Sequence, residues 1–356
     1  MATRGGNIEI GLGGDIGDDL GIGDGKPFAE WLRALRREVR RIDPLAGIDF
    51  LEGCNSPENA AIAADEGMPY RQFTDLYVIG GGREGRDEDA LATLRRNLDA
   101  AAAARTIAAL NMQVWGVRDE PSLDRICDFH HAAEAMAAPY GIALFTETHV
   151  DRYTYDPRRL LAVHERLLVE SRGAYGLRVG ADFSHYVHQL GNPTGDNWQA
   201  IRAGALRLDP FDAGNIVSTR IIQGGLVGYG HLRCAAPNDR GRDRGSIQYP
   251  LVDPAAYHRR PWRGELACGG TWDESRTRAW REYYRQAFAW HIAHPQRPVA
   301  RFSSEFIGWN DHCDYRIEGY SNAWQNFAVV AWAQGLKREL VQASAGAARA
   351  DAGSGS

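Results

Sequence analysis

Two short segments of this sequence each carry a carboxylate followed by a histidine. The segment LFTETHV places Glu147 and His149 two residues apart, and LRVGADFSH places Asp182 and His185 three residues apart. Each segment begins as a run of β-forming residues, and one helix-like segment lies between them. Carboxylates and imidazoles bind divalent cations, and groups that follow successive strands of a parallel barrel meet at the same end of it. The spacing therefore predicts a metal site.

Each of these groups also has a structural interpretation. Glu147 or Asp182 alone could cap a helix or lie at the surface, and His149 could be a loop residue that faces solvent. His185 could hydrogen-bond a ligand carboxylate instead of binding the metal itself. The occurrence of both patterns at successive strand ends favours a metal site over these alternatives.

His149 is our predicted general acid/base. If the strand continues, residues 147 and 149 point to the same side, because side chains alternate along a strand. An imidazole titrates near neutral pH and can both remove and return a proton. Arg152 and Arg220 would hold substrate oxygens or a developing negative charge, although Arg220 could instead form a structural salt bridge.

Strand-like and helix-like segments alternate along the chain. The predicted helices span residues 27–42, 87–110, 122–138, 156–171, 275–294 and 321–342, and Asp156 can cap the fourth of them. The predicted strands span residues 8–12, 48–51, 76–79, 112–117, 143–146, 177–181, 216–222 and 300–303. Eight strands that alternate with helices favour a (β/α)8 TIM barrel over a doubly wound sheet.

We predict one barrel domain over residues 1–342, with a long insertion at residues 224–272 between the seventh strand and its helix. Such a long loop is usually functional, and in a barrel it emerges on the same face as the metal. We expect it to fold over the mouth or against a partner, either a second copy of the chain or a small subunit. The small, polar residues 343–356 are predicted to be a disordered tail.

The composition excludes several classes of protein. The chain has 356 residues and a net charge of −5, so no overall electrostatic attraction to nucleic acid or to an anionic membrane is expected. Its five cysteines form no C-x-x-C pair, which argues against a disulfide framework or a zinc ribbon. The N-terminal residues lack an apolar signal core, and no long apolar run occurs, so we expect a cytoplasmic protein.

The order of the motifs resembles the xylose isomerase-like TIM barrel superfamily, and within it the proteins labelled sugar phosphate isomerases/epimerases. The motifs are E-T-H, then D-F-S-H, a strand ending in Arg, a Gln followed by V-D-P, and S-E-F. The resemblance implies one divalent metal at the barrel mouth. It would be held by Glu147, Asp182, a ligand from the region of the seventh strand, and Glu305.

The ligand from the seventh strand is where the chain departs from this pattern. Relatives commonly carry a His there, whereas the predicted strand IVSTRII carries Ser218. Gln248, in GSIQYPLVDP, resembles the Gln of a subgroup with H-A-R before a Q-V-x-D-P turn. We predict Gln248 as the remaining ligand, because an amide oxygen suits Mg²⁺ or Mn²⁺. His185 and His231 are the alternatives.

The predicted activity is that of a metal-dependent sugar isomerase or epimerase. Mn²⁺ or Mg²⁺ can chelate a carbonyl and the adjacent hydroxyl of a sugar, and can stabilise an enediolate after proton removal. Carboxylates serve as acid/base groups in the epimerases that the chain resembles, which makes Glu147 and Glu305 catalytic candidates beside His149.

The sequence leaves three other functions to compare with this prediction. The first is a lyase that resembles the catalytic subunits of C-glycoside deglycosidases, which enolise a 3-oxo-sugar and expel its aglycone. The long insertion and the absence of a His from the predicted seventh strand favour this alternative. An apurinic endonuclease of the same superfamily would need histidines after the second and third strands, and none is present. A sugar-binding barrel without activity would be expected to lose its metal ligands, whereas this chain keeps three carboxylates for the metal.

Overall fold

Eight parallel strands form a closed barrel within the part of the chain that the structure describes. The computed structural model describes residues 7–14, 25–53, 56–79, 87–116, 121–238, 248–253, 272–307 and 321–353. Each strand pairs with the next along the chain, and the eighth pairs with the first. The strands are β1 Ile8–Leu12, β2 Phe50–Glu52, β3 Tyr70–Ile79, β4 Ala109–Gly116, β5 Ala143–Glu147, β6 Val179–Ala181, β7 Val227–Leu232 and β8 Ala300–Ser304. The predicted (β/α)8 TIM barrel is confirmed.

Helices surround this barrel and bury their apolar faces against it. The side chains of Leu32, Leu35 and Val39 in the first helix are fully buried, as its apolar stripe predicts. The predicted cap at Asp156 is also confirmed, because its carboxylate accepts the amide of Arg158 at 2.9 Å. The helices are α1 Phe28–Ile42, α2 Pro57–Asp65, α3 Asp87–Ala104, α4 Leu123–Ala137, α5 Pro157–Glu170, α6 Ser184–Gln189, α7 Trp198–Arg202, α8 Arg278–Ala293 and α9 Asn322–Gly353.

The predicted seventh strand at residues 216–222 is wrong. Val217–Ile222 instead form one turn of π-helix. Asn215 lies just before this turn, and its side-chain oxygen accepts the amide of Ser218 at 2.9 Å. The β-branched residues of the segment suggested a strand. Their burial in the helical layer outside the barrel overrides that preference, because β-propensity depends strongly on context.

The true seventh strand, β7, carries two glycines that conceal it in the sequence. A Cβ atom at Gly228 would lie 2.7 Å from Phe145 Cε1, and one at Gly230 would lie 2.5 Å from Phe302 Cδ1. Both distances are shorter than side-chain contacts allow, so neighbouring aromatic rings occupy the space that these glycines leave. Glycine in a strand often marks such a close approach.

The insertion starts later than predicted, because β7 lies inside the predicted range 224–272. The segment between β7 and α8 begins at Arg233. Residues 239–247 and 254–271 of the predicted insertion lie outside the described part of the chain. The proposal that the insertion covers the barrel mouth therefore stays a prediction.

The end of the chain differs from its prediction. Helix α9 extends to Gly353, so residues 343–353 of the predicted disordered tail are helical. Among the residues described, no helix combines the length and the apolar character needed to cross a membrane.

Candidate metal centre

The candidate site lies where the carboxyl ends of β5, β6, β7 and β8 converge. Glu147 is the last residue of β5, and Asp182 directly follows β6. His231 lies near the end of β7, and Glu305 directly follows β8. All eight strands run in the same direction, so these four side chains meet at one end of the barrel. Glu147, Asp182 and His231 are buried, with at most 2% of their surface exposed.

Three of these residues form a cluster suited to a cation. Glu147, His231 and Glu305 each offer one ligand atom, and the three atoms lie within 4.8 Å of one another. His231 Nδ1 is 3.3 Å from Glu147 Oε1 and 3.2 Å from Glu305 Oε1. Glu305 Oε2 is buried and has no hydrogen-bond partner among the described residues. A buried anionic oxygen without a donor is costly, and a cation would remove that cost. The residues therefore fit a divalent metal.

The pKa shifts reflect the crowding of negative charge in this cluster. Burial, together with the charges of Glu147 and Asp182, raises the pKa of Glu305 to about 8. Burial alone would lower the pKa of His231, but the surrounding carboxylates, Glu305 foremost, hold it well above its ordinary value. Protons thus bind where a metal would, and a metal has to displace them. We expect metal affinity to increase with pH.

The raised pKa of Glu305 predicts how stability depends on pH. A carboxyl group with a raised pKa stabilises the fold at low pH, and this contribution is lost as the pH rises towards the raised value. We expect the melting temperature of chelator-treated protein, relative to that of Glu305→Gln, to fall as the pH rises from the ordinary value of 4.5 to about 8. Differential scanning fluorimetry across this range would measure it. Parallel curves for the two proteins would contradict the prediction.

Asp182 lies beside the cluster and is paired with a buried arginine. Arg233 follows β7, and its Nη2 is 2.6 Å from Asp182 Oδ2. The same atom is 2.6 Å from His185 Nε2, and Arg233 Nε is 3.8 Å from Glu305 Oε2. The Arg233 guanidinium therefore offsets the negative charge of Asp182 and Glu305, two of the four predicted metal ligands.

Hydrogen bonds hold the Glu147 carboxylate and the backbone at the ends of β5 and β6. Asn111 Nδ2 donates to Glu147 Oε2 at 2.8 Å, and the Thr154 hydroxyl donates to the Glu147 carbonyl at 2.6 Å. The Thr148 hydroxyl donates to the carbonyl of Asp182 and accepts its amide, at 2.9 and 2.8 Å. These contacts hold the strand ends in place before any ligand binds.

His149 lies at the edge of the cluster in a defined orientation. Its Nδ1 donates to the Val150 carbonyl at 2.6 Å, so Nε2 is the acceptor nitrogen of the neutral ring. The ring lies against His185, with ring centroids 4.2 Å apart. Burial, followed by the nearby His185, lowers the pKa of His149 well below its usual value. At neutral pH the ring is therefore uncharged and able to accept a proton.

A second possible cluster consists of Glu147, His149 and His185, whose ligand atoms also lie within 4.8 Å of one another. His185 Nδ1 accepts the amide of Val150 at 3.1 Å, and its Nε2 faces the guanidinium of Arg233. A cation on His185 would have to displace that positive charge. The cluster around His231 is therefore the better metal site.

The two arginines predicted to bind substrate lie in different places. Arg152 is half-buried near the ends of β4 and β5, with its guanidinium carbon 4.9 Å from the centroid of the Trp115 ring. Arg220 lies on the π-helical turn in the outer layer, where its exposed side chain pairs with Glu165 at 2.8 Å. The prediction for Arg220 is corrected, because the surface salt bridge occupies its side chain.

The side-chain amide of Gln248 bonds the backbone of Ile307 with both of its ends. Its amide oxygen accepts the Ile307 amide at 2.8 Å, and its amide nitrogen donates to the Ile307 carbonyl at 3.1 Å. Asn326 makes the same pair of bonds to Phe306, at 2.7 and 2.9 Å. The two side chains thus hold the backbone directly after Glu305. We replace Gln248 by His231 as the expected ligand.

Replacing Gln248 by Ala is expected to weaken metal binding without changing its stoichiometry. The substitution leaves two backbone groups of Ile307 without these partners, which costs about 1–3 kcal/mol for each group that stays buried. Asn326→Ala should behave in the same way, since it removes the equivalent pair of bonds. Isothermal titration calorimetry with Mn²⁺ would measure both variants. Complete loss of metal from Gln248→Ala alone would restore Gln248 as a ligand.

From the sequence, His231 was only one of two alternatives to Gln248 as a ligand, and Arg233 was given no role. A signal for them was present, because the sequence H-L-R at the end of β7 precedes Gln248 and its V-D-P turn. This order resembles the H-A-R and Q-V-x-D-P pattern of the subgroup named in the sequence analysis. Assigning the seventh strand to residues 216–222 concealed the match.

The fold and the site together define a (β/α)8 barrel with a candidate metal centre at its mouth. No known protein-family model matches the chain, and neither does any curated protein.

Several solved structures are similar to the chain. One is a 3-keto-D-glucoside 4-epimerase from E. coli, with 16% identity over 92% of this chain and 99% of that one and a TM-score of 0.48. Another is a xylose isomerase-like TIM barrel protein from Mycobacterium smegmatis in complex with magnesium, with 17% identity, coverage of 96% and 100%, and a TM-score of 0.48. A third is a mannonate dehydratase from Streptococcus suis, with 10% identity, coverage of 95% and 96%, and a TM-score of 0.49. The fold of this chain is established by its own closed barrel.

Proposed function

We propose that the protein is a divalent-metal-dependent enzyme that isomerises or epimerises a carbohydrate by removing a proton next to a carbonyl group. The observation that carries this proposal is the cluster of Glu147, His231 and Glu305, with the acceptor nitrogen of His149 beside it. Metal ligands and an uncharged base in one barrel mouth are the two components that such a reaction requires.

The proposed ligands are Glu147, His231 and Glu305, with Asp182 adjacent to them. Carboxylates and one imidazole form a hard to borderline donor set, which favours Mn²⁺ or Mg²⁺. When bound, the ion would supply Lewis-acid stabilisation of the negative charge that develops on the substrate oxygens.

The remaining residues of the site would handle the proton and orient the substrate. His149 Nε2 would accept the proton from the substrate carbon, since its lowered pKa keeps the ring uncharged at neutral pH. In an isomerisation the same nitrogen would return the proton to the neighbouring carbon, whereas in an epimerisation a second acid on the opposite face of the substrate would supply it. Arg152, half-buried beside Trp115, would hold a substrate oxygen through its guanidinium N–H groups.

A lyase acting on 3-oxo-glycosides is the second candidate, because it begins with the same proton removal. One of the two sequence arguments for it no longer holds, since His231 provides the histidine of the seventh strand. The other argument was the long insertion. This argument still applies, because a long segment of chain separates β7 from α8. The two reactions differ in whether an aglycone leaves.

Solvent deuterium incorporation tests the proposal. Metal-loaded protein is incubated in D2O with a panel of ketoses, aldoses and 3-oxo-glycosides, and products are analysed by mass spectrometry. We expect metal-dependent exchange of one carbon-bound hydrogen together with an isomeric product. Release of an aglycone would identify the lyase instead. The absence of exchange from every member of the panel, with metal bound, would contradict both candidates.

A further inference from the structure

Glu52 approaches the metal cluster from the far side of His231. It is the last residue of β2, and its Oε1 lies 2.9 Å from His231 Nε2. The opposite ring nitrogen, Nδ1, faces Glu147 and Glu305. We propose that Glu52 is a positioning residue that fixes the His231 ring so that Nδ1 faces the metal. This inference rests on the proposed function, because it concerns the same metal centre.

The Glu52 carboxylate is held by donors from three other strands. Besides His231, its Oε1 accepts the Thr74 hydroxyl at 2.9 Å and the Tyr229 hydroxyl. Its Oε2 accepts the Ser303 hydroxyl. Three of these four donors bond Oε1, the oxygen that contacts the His231 ring. Such an arrangement suits a rigid anchor for an imidazole better than a metal ligand, which has to offer a lone pair to the ion.

A second set of hydrogen bonds, which does not pass through His231, also links the Glu52 carboxylate to the metal cluster. Asn111 Nδ2 donates both to Thr74 Oγ1 at 3.2 Å and to Glu147 Oε2 at 2.8 Å. A closed ring of contacts therefore runs from Glu52 through Thr74 and Asn111 to Glu147, and returns through His231. The orientation of His231 is thereby linked to that of Glu147, and both are proposed metal ligands.

Two physical consequences follow for metal binding. A ring flip of His231 would remove Nδ1 from the cluster, and the hydrogen bond from Nε2 to Glu52 opposes that flip. A carboxylate behind a ligand histidine also fixes its tautomer and raises its basicity. Loss of such a partner typically weakens metal binding by about 10–100-fold.

The test compares Glu52→Ala and Glu52→Gln with a matched control, Glu9→Gln. Glu9 lies on β1 and pairs with Arg301 at 2.8 Å, away from His231. Calorimetry with Zn²⁺ should give one ion per chain in all proteins. We expect about 10–100-fold weaker binding in Glu52→Ala, a smaller loss in Glu52→Gln, and wild-type affinity in the control. Glu52→Gln retains an acceptor oxygen and nearly the same volume, so it serves if Glu52→Ala does not fold.

A spectroscopic measurement separates positioning from a general loss of stability. In Zn²⁺-loaded protein labelled with ¹⁵N-histidine, we expect a ring with metal-bound Nδ1 and protonated Nε2 that is missing from His231→Ala. This signal should shift in both Glu52 variants and stay unchanged in Glu9→Gln. Unchanged affinity and spectrum in both Glu52 variants would overturn the inference, and complete loss of the ion from Glu52→Gln would make Glu52 a ligand. A wild-type protein that binds no Zn²⁺ would instead contradict the proposed function.

Discussion

Replacing Glu147 by Gln is expected to abolish metal binding at the barrel mouth. Glu147 is shared by both clusters that could hold an ion, so its loss affects the site whichever cluster is used. We expect a loss of affinity greater than the about 100-fold that follows removal of an outer partner. Calorimetry with Mn²⁺ would measure it directly.

The same substitution should remove the stabilisation that metal gives to the fold. An ion present at 100 times its dissociation constant stabilises the native state by about 2.7 kcal/mol. Chelator should therefore lower the melting temperature of the wild type, and Mn²⁺ should restore it, with no such change in Glu147→Gln. Glu165→Gln is the control, since Glu165 is exposed on α5. A Glu147→Gln protein that binds one ion with wild-type affinity would contradict the site.

Replacing His149 by Ala is expected to leave metal bound and to reduce turnover by about 10²–10⁴-fold. This is the usual contribution of a positioned group that transfers a proton. The deuterium exchange assay and metal analysis of the same preparation would measure the two effects separately. Arg220→Ala, whose side chain pairs with Glu165 in the outer layer, is the control and should keep full activity.

Two results would exclude this role for His149. Loss of metal together with activity would make it a ligand, in the cluster that includes His185. Activity close to that of the wild type would show that another group removes the proton, and Glu305 would then be the next candidate.

The barrel could be predicted from the sequence because its strands and helices alternate regularly. Seven of the eight predicted strands overlap the observed ones. The seventh failed for a physical reason: IVSTRII has β-branched residues but packs as a π-helical turn, whereas VGYGHL contains glycines but forms β7. The glycines are needed because Phe145 and Phe302 occupy the space beside them. Local preference and tertiary packing act in opposite directions here.

The candidate site was predictable wherever the topology alone determines position. Glu147 ends a strand and Asp182 and Glu305 directly follow strands, so a parallel barrel brings them to one end. The contact between Glu52 and His231 joins residues 179 positions apart, and no spacing in the sequence encodes it. Gln248 was assigned from its motif, but its role depends on the position of the Ile307 backbone. Contacts of this kind require the folded structure.

The most direct test of the metal centre is anomalous diffraction from crystals of the protein grown with Mn²⁺. The proposed site predicts one anomalous peak at the barrel mouth, within coordination distance of Glu147, His231 and Glu305. A peak between His149 and His185 would contradict the assignment of ligands. The absence of any peak at the mouth, in crystals that contain Mn²⁺ at a concentration well above that of the protein, would contradict the metal-dependent function itself.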